Sequence, residues 1–215
     1  KLVGNKQRVL VSDLSGKSNI SFKANELDIK YKDSKEITGK LVSKVKDLEF
    51  EGYQFEAADA SLELILRELS GEYSPFFKVL DSKVHISYDE SGTEKADATL
   101  KVLVGEDIEH TASDGDGPVD ALNNALRKAL AMFFPELKDV RLTDYKVRVL
   151  NEQEGTGAKV RVLIESAYED DSWSTIGVSK NIIEASRQAL SDSFNYRLAK
   201  LSNWSIKNKK SLQLS

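Results

Sequence analysis

Five consecutive residues, Asp114-Gly115-Asp116-Gly117-Pro118, carry the chemistry most open to a ligand in this sequence. Glycines ahead of a helix start leave backbone N–H groups free to hold an anion such as a carboxylate. The two aspartates would repel a phosphate and attract a cation. The Lys-Ser/Thr pair of a phosphate-cradling loop and the spacing of a dinucleotide fingerprint are both missing. A ligand with a carboxylate and an amine, such as a free amino acid, suits both halves. The same residues also read as a tight turn with Asp caps.

The remaining reactive residues point away from catalysis. His85 alternates with Val84 and Ile86, so it faces the other side of a strand, and His110 sits in Glu-Asp-Ile-Glu-His-Thr. Neither has a second histidine or a matched carboxylate at ligand spacing, so both read as surface or sheet-face residues. Asp170-Asp171-Ser172-Trp173 reads as a solvated acidic turn before an aromatic residue of the core or an interface. The Lys-rich run 207–210 reads as a solvated tail. No Ser/His/Asp arrangement with motif context occurs. There are no cysteines, hence no thiolate ligand, Cys nucleophile or disulfide framework.

The elements that must position the glycine loop follow from composition and period. Of 215 residues 40% are hydrophobic, enough to exclude a disordered chain, and 31 Lys+Arg against 35 Asp+Glu give a net charge of −4. That balance counts against a general nucleic-acid binder. No apolar run approaches the roughly 20 residues that span a bilayer as a helix, and no secretory signal is visible. The sequence opens at Lys1, inside a motif, which reads as a piece of a longer polypeptide.

Residues 1–72 read as a small helical linker subdomain. Ser18 would cap a helix with Ile20, Ala24 and Leu27 inward, and Ser34 a second with Ile37, Leu41, Val45 and Leu48 in one stripe. Gly52 suits the position past its end. A third stripe would run through Ala58, Leu62, Ile65 and Leu69. Three narrow stripes make a poor core, so these helices are expected to pack on a neighbouring domain or on a second copy of themselves.

Beyond Ser70–Pro75 the period changes, and residues 73–215 read as a second domain. Val84 and Ile86, then Leu100, Val102 and Val104, alternate as in strands. Pro118 fits the first position of a helix carrying Val119, Leu122, Leu126, Ala129 and Phe133. The order then returns. Residues 98–130 lie over 158–190 at a constant offset of 60, with Ala98/Ala158, Gly117/Gly177 and Leu130/Leu190 among the identities. Lys83-Val84 matches Lys146-Val147 at 63, which puts the length change in the first hairpin. Each repeat, about 76–134 and 138–200, reads strand, strand, strand, helix. The fold class is therefore α+β, with two βββα units related by a pseudo-twofold axis. The matched glycines predict equivalent helix starts at Gly117 and Gly177.

Three stretches resemble a known family. Gly4 to Ile20 resembles the segment that follows the catalytic barrel in citramalate synthases, of the isopropylmalate/homocitrate synthase superfamily. Leu48 to Ser61 (Leu-Glu-Phe-Glu-Gly-Tyr-Gln-Phe-Glu-Ala-Ala-Asp-Ala-Ser) resembles a second signature of that group. Gly115-Asp116-Gly117-Pro118-Val119-Asp120-Ala121 resembles the glycine loop of the superfamily's regulatory, dimer-forming domain. Asp144-Tyr145 with Gly155-Thr156-Gly157-Ala158 resembles its next hairpin.

The resemblance implies a parent acyltransferase that condenses acetyl-CoA with pyruvate to (R)-citramalate, towards isoleucine. It implies a cytoplasmic homodimer and feedback inhibition by isoleucine held in the regulatory domain. The catalytic barrel with its divalent metal would lie upstream, so the chain itself is expected to hold no catalytic residue, metal or cofactor and to be inactive alone. Gly115, Asp116, Gly117, Val119 and Asp120 would frame the effector's polar end. Leu142, Tyr145 and Val149 would line its side-chain pocket, with Thr156 and Ala158 closing it. Tyr145 and Val149, four apart on a strand, face one side. Alternative readings are the regulatory domain of a leucine-sensing 2-isopropylmalate synthase, a ligand-free dimerisation module, and a double-stranded RNA-binding fold, the last opposed by the charge.

Overall fold

A computed structural model describes residues 35–150 and 152–202, with Lys23, Ala24, Glu26, Leu27 and Ile29. In chain order it runs α1 (Lys35–Glu51), α2 (Asp59–Ser70), β1 (Phe77–Tyr88), β2 (Glu94–Val104), β3 (Asp107–Gly115) and α3 (Pro118–Ala131). It continues with β4 (Arg141–Val149), β5 (Val160–Tyr168), β6 (Asp171–Ser179) and α4 (Ile182–Leu201). Short 3₁₀ turns cover Phe55–Ala57, Pro135–Leu137 and Glu152–Gly157. The expectations at Ser18, Ile20 and Ser34, the Gly4 to Ile20 segment and the run 207–210 lie outside the described residues. So do the side chains of Ile37 and Thr156.

Two antiparallel three-stranded sheets, ordered β1-β2-β3 and β4-β5-β6, each carry one helix. Ala96, Ala98, Leu100 and Val102 alternate along β2 and are all buried, as a strand with one covered face requires. They meet Ala121, Leu122, Ala125 and Leu126 of α3. Val162 and Ile164 of β5 meet Ala185, Ala189 and Leu190 of α4 in the same core, so one apolar interior serves both units. Neither unit has a sealed core of its own. Trp173 is buried there, with its indole N–H donating to Ser193 Oγ at 3.0 Å. Among the described residues no helix is long and apolar enough to cross a membrane.

The duplication holds, at a different register from the one that identities suggest. β3 and β6 match end for end at an offset of 64, as do the starts of α3 and α4. Gly117 does precede a helix, but Gly177 lies buried inside β6, and α4 opens after Asn181. A slip of four keeps strand alternation, because four is even, and keeps the helix face, because four residues are about one turn. Periodicity therefore could not reject the wrong offset. β1 and β4 do match at 63: Val84 pairs with Ala98 and Val147 with Val162. The length change is accordingly one extra residue in the second hairpin, not three in the first.

Helix α1 behaves as its stripe predicts, with Leu41 and Val45 buried and Gly52 at φ 113° just past its end. Helix α2 does not present a single stripe. Leu69 is 40% exposed, while Leu62 and Leu66 face α1 and Phe55, and Ala60 and Leu64 enter the main core. The reason is its place: α2 is wedged between α1 on one side and α4 with β6 on the other. Ile176 and Leu163, on the outer face of the second sheet, pack into the α1–α2 cluster. Helices α1 and α2 thus sit on the second unit.

Candidate functional site

The glycine loop closes the gap between β3 and α3. A Cβ on Gly115 would lie 2.6 Å from the Ala121 Cα, so only glycine lets the strand end this close to the helix. The Asp116 backbone N–H donates to Asp120 Oδ2 at 3.1 Å, a carboxylate on the first turn reaching back in the manner of a capping box. The Asn124 amide donates to the same carboxylate at 3.2 Å and to the Asp114 carbonyl at 3.1 Å. Asp120 therefore does cap the turn, while Asp114 and Asp116 remain exposed. Pro118 takes the expected first helical position and Gly117, extended ahead of it, is an N-cap without a side chain, so among the described residues no N-cap side chain accepts from the first turn of α3. The start of α4 differs, since Asn181 Oδ1 accepts from the Ile183 N–H at 2.9 Å. The positive end of α3 is thus the one left open to an external acceptor.

On β4, Leu142 and Tyr145 are three residues apart, a spacing that would place them on opposite faces of a regular strand. A bulge at Thr143 intervenes, so Leu142 pairs with Ser166 and Tyr145 with Ile164, both on the helix side of β5. Val149, paired with Val160, continues that face. Leu142 and Tyr145 pack against the core. Tyr145 Oη lies 2.9 Å from Ser186 Oγ, which itself donates to the Ile182 carbonyl at 2.7 Å, so the tyrosine is the donor. Val149 is 45% exposed, as is Ile86, which lies at the matching place on β1. Ala158 is buried just before β5, and Thr156 falls on the 3₁₀ turn between β4 and β5.

The structure therefore gathers Leu142, Tyr145 and Val149 on one face, and Gly115, Asp116, Gly117, Val119 and Asp120 in one loop. The two groups belong to different units and different sheets, with no strand pairing between them among the described residues.

A polar junction went unnoticed in the sequence. Ser61, fully buried on α2, donates to Asp192 Oδ2 of α4 at 2.7 Å and accepts from the Ile176 N–H of β6 at 3.1 Å. Gln188 Oε1 accepts from the Val178 N–H at 3.1 Å and from Tyr53 Oη at 3.3 Å. Burial pushes the Asp192 carboxyl up to about 7 and, with Asp192 next in importance, the Tyr53 phenol to about 12. Nearby, Arg67 donates to Glu63 and Glu72, each at 2.8 Å, and to the Leu27 carbonyl at 2.6 Å. Tyr196 Oη donates to Glu63 at 3.2 Å. The contacts Ser61–Asp192, Ser61–Ile176, Tyr53–Gln188 and Glu63–Tyr196 are each more than a hundred residues apart in sequence and leave no periodic trace.

Residues 56–198 match the family described as the LeuA allosteric (dimerisation) domain. The chain is 50% identical over 205 residues to a protein of Geobacter sulfurreducens named (R)-citramalate synthase, covering 93% of this chain and 38% of that one. It is 48% identical over 201 residues to the (R)-citramalate synthase of Aquifex aeolicus, again 93% and 38%. The 2-isopropylmalate synthase of Aquifex aeolicus is 27% identical over 192 residues, 87% of this chain and 34% of that protein. The chain thus spans well under half the length of these relatives.

Proposed function

The chain belongs to the LeuA allosteric (dimerisation) domain family, and from that premise we propose that it is the regulatory region of an (R)-citramalate synthase, a homodimer that binds isoleucine. The observation that carries this reading is the 48–50% identity, along 93% of the chain, to proteins named (R)-citramalate synthase.

In this reading a longer cytoplasmic protein condenses acetyl-CoA with pyruvate on a metal-dependent barrel outside this chain, and the present residues supply the feedback brake. The isoleucine carboxylate takes the uncapped N–H groups at the start of α3, beside Gly117 and Val119. Its ammonium takes Asp116 or a loop carbonyl, since a buried zwitterion needs both charges met. Leu142, Tyr145 and Val149 receive the sec-butyl group, with Thr156 and Ala158 at the closed end. The loop and the strand meet near the dimer axis. The half-exposed Ile86, Val147 and Val149 are apolar surface that a second copy would cover.

Titration calorimetry on the chain, with isoleucine and leucine in parallel and light scattering on the same sample, tests it. A dimer that binds isoleucine more tightly is expected. Tighter leucine binding favours a 2-isopropylmalate synthase, and a dimer that binds neither favours a purely structural module. A monomer at micromolar concentration overturns the dimer.

A further inference from the structure

We propose that Ser61 and Asp192 form a proton-controlled latch that fastens the linker helix α2 to the open edge of β6. The inference goes beyond effector binding and needs only the contacts within one chain.

β6 is an edge strand, and its Ile176 and Val178 N–H groups point away from β5. Edge donors of this kind must be met by something. Gln188, from the unit's own helix, meets Val178. Ile176 is met by the linker: Ser61 Oγ accepts its proton at 3.1 Å. The serine has one proton of its own, and it goes to Asp192 Oδ2 at 2.7 Å. Linker, helix and strand are thus joined through one hydroxyl. The latch exists only while α2 is docked, because undocking exposes the aspartate and frees the strand donor together.

The docked aspartate sits among groups that decide its charge. Glu68 and Ser61 face it from α2, and Tyr53 and Tyr73 from the segments on either side of α2. Arg187 faces it from its own helix, but that guanidinium already holds Glu184 through two bonds of 2.6 Å. Burial is the largest influence and raises the carboxyl to about 7, against 3.8 for a free one, with Glu68 adding to it and the Ser61 bond and Arg187 opposing. A group with a raised pKa in the docked state favours docking fully below its free pKa. That advantage is lost as pH climbs to the docked value. From pH 6 to pH 8, linkage between 3.8 and about 7 makes the undocked form about tenfold more populated.

Amide hydrogen exchange on the chain at pH 6 and pH 8, corrected for intrinsic rates, reads the latch at Ile176 and along α2. Protection about tenfold lower at pH 8 is expected. Asp192→Asn keeps an acceptor for Ser61 without a charge, so it should stay protected and lose the pH dependence. Ser61→Ala should lower Ile176 protection at both values. Equal wild-type protection at both pH values, or an unchanged pH dependence in Asp192→Asn, overturns the proposal. A carbon-13 titration of the wild-type Asp192 carboxyl needs no variant: a midpoint near 7 supports the latch, and one near 4 overturns it.

Discussion

Thr111 and Thr175 occupy the same place in the two units. Each lies buried on the third strand of its sheet, and each donates its hydroxyl to a helix carbonyl fourteen residues on: Ala125 at 3.0 Å and Ala189 at 2.8 Å. This pair of strand-to-helix bonds defines the 64-residue register. Replacing either threonine by valine keeps the shape and removes one buried hydrogen bond, at about 0.5–1.5 kcal/mol. The two sites share no partner, so the double variant should lose the sum of the two within about 0.5 kcal/mol, as denaturant unfolding will show.

The same register aligns the tight turns that lead into β3 and β6. Gly105 takes φ 61° in the first and Glu169 takes φ 52° in the second. A side chain in this region is strained, and Glu169 is exposed, with no side-chain hydrogen bond or ion pair among the described residues. Glu169→Gly should raise stability by about 0.5–1 kcal/mol, relief of strain outweighing the added freedom of the unfolded chain. Gly105→Ala should lower it by about 1 kcal/mol. Thermal unfolding of the two variants checks both signs.

Arg67 is buried beside Glu63 and Glu72. Its removal strands two carboxylates, one of them also bonded by Tyr196. Arg67→Leu should cost about 3–5 kcal/mol in denaturant unfolding. Arg67→Lys should recover only part of that, because an ammonium cannot reach Glu63, Glu72 and the Leu27 carbonyl in the fixed fork of a guanidinium.

The proposed effector pocket calls for variants that separate fold from ligand. Tyr145→Ala removes wall area and should weaken isoleucine by about 2–4 kcal/mol, roughly two orders of magnitude or more. It should also loosen the core, because the ring packs there. Val149→Asp is the cleaner probe: the residue is 45% exposed in one chain, so stability should fall by less than about 1 kcal/mol. Dimer formation and isoleucine binding should both suffer, as sedimentation and calorimetry would report. Ala158→Leu should block the pocket with the dimer intact.

Much of this fold was legible in the sequence because burial leaves a period. Leu41 and Val45 on α1, the alternation of Leu100, Val102 and the half-buried Val104, and the buried Trp173 all followed from spacing or type. The duplication was legible as well, but its register was not. Matched glycines drew Gly117 onto Gly177, although Gly115 and Gly177 are the two pressed against equivalent helix alanines, Ala121 and Ala185. Those glycines answer the same crowding two positions apart in the register. The bulge at Thr143, which turns Leu142 towards Tyr145, has no sequence signal of its own. Nor had the second buried face of α2, since two sets of neighbours came from distant parts of the chain.

Trimming the chain at residue 73 would keep the residues of both sheets and of α3 and α4 but take Ala60 and Leu64 out of their shared core. It would also strip Ser61 from the Ile176 N–H and lift Phe55 and Leu62 from the apolar flank formed by Leu163 and Ile176. A bare donor beside an oily flank on an outer strand invites the same strand of another molecule to dock. Such a minimal fragment would cloud and gel as it is concentrated. Helix α2 would thus act as a stopper on this one strand, holding a duplicated sheet protein back from growing into a ribbon.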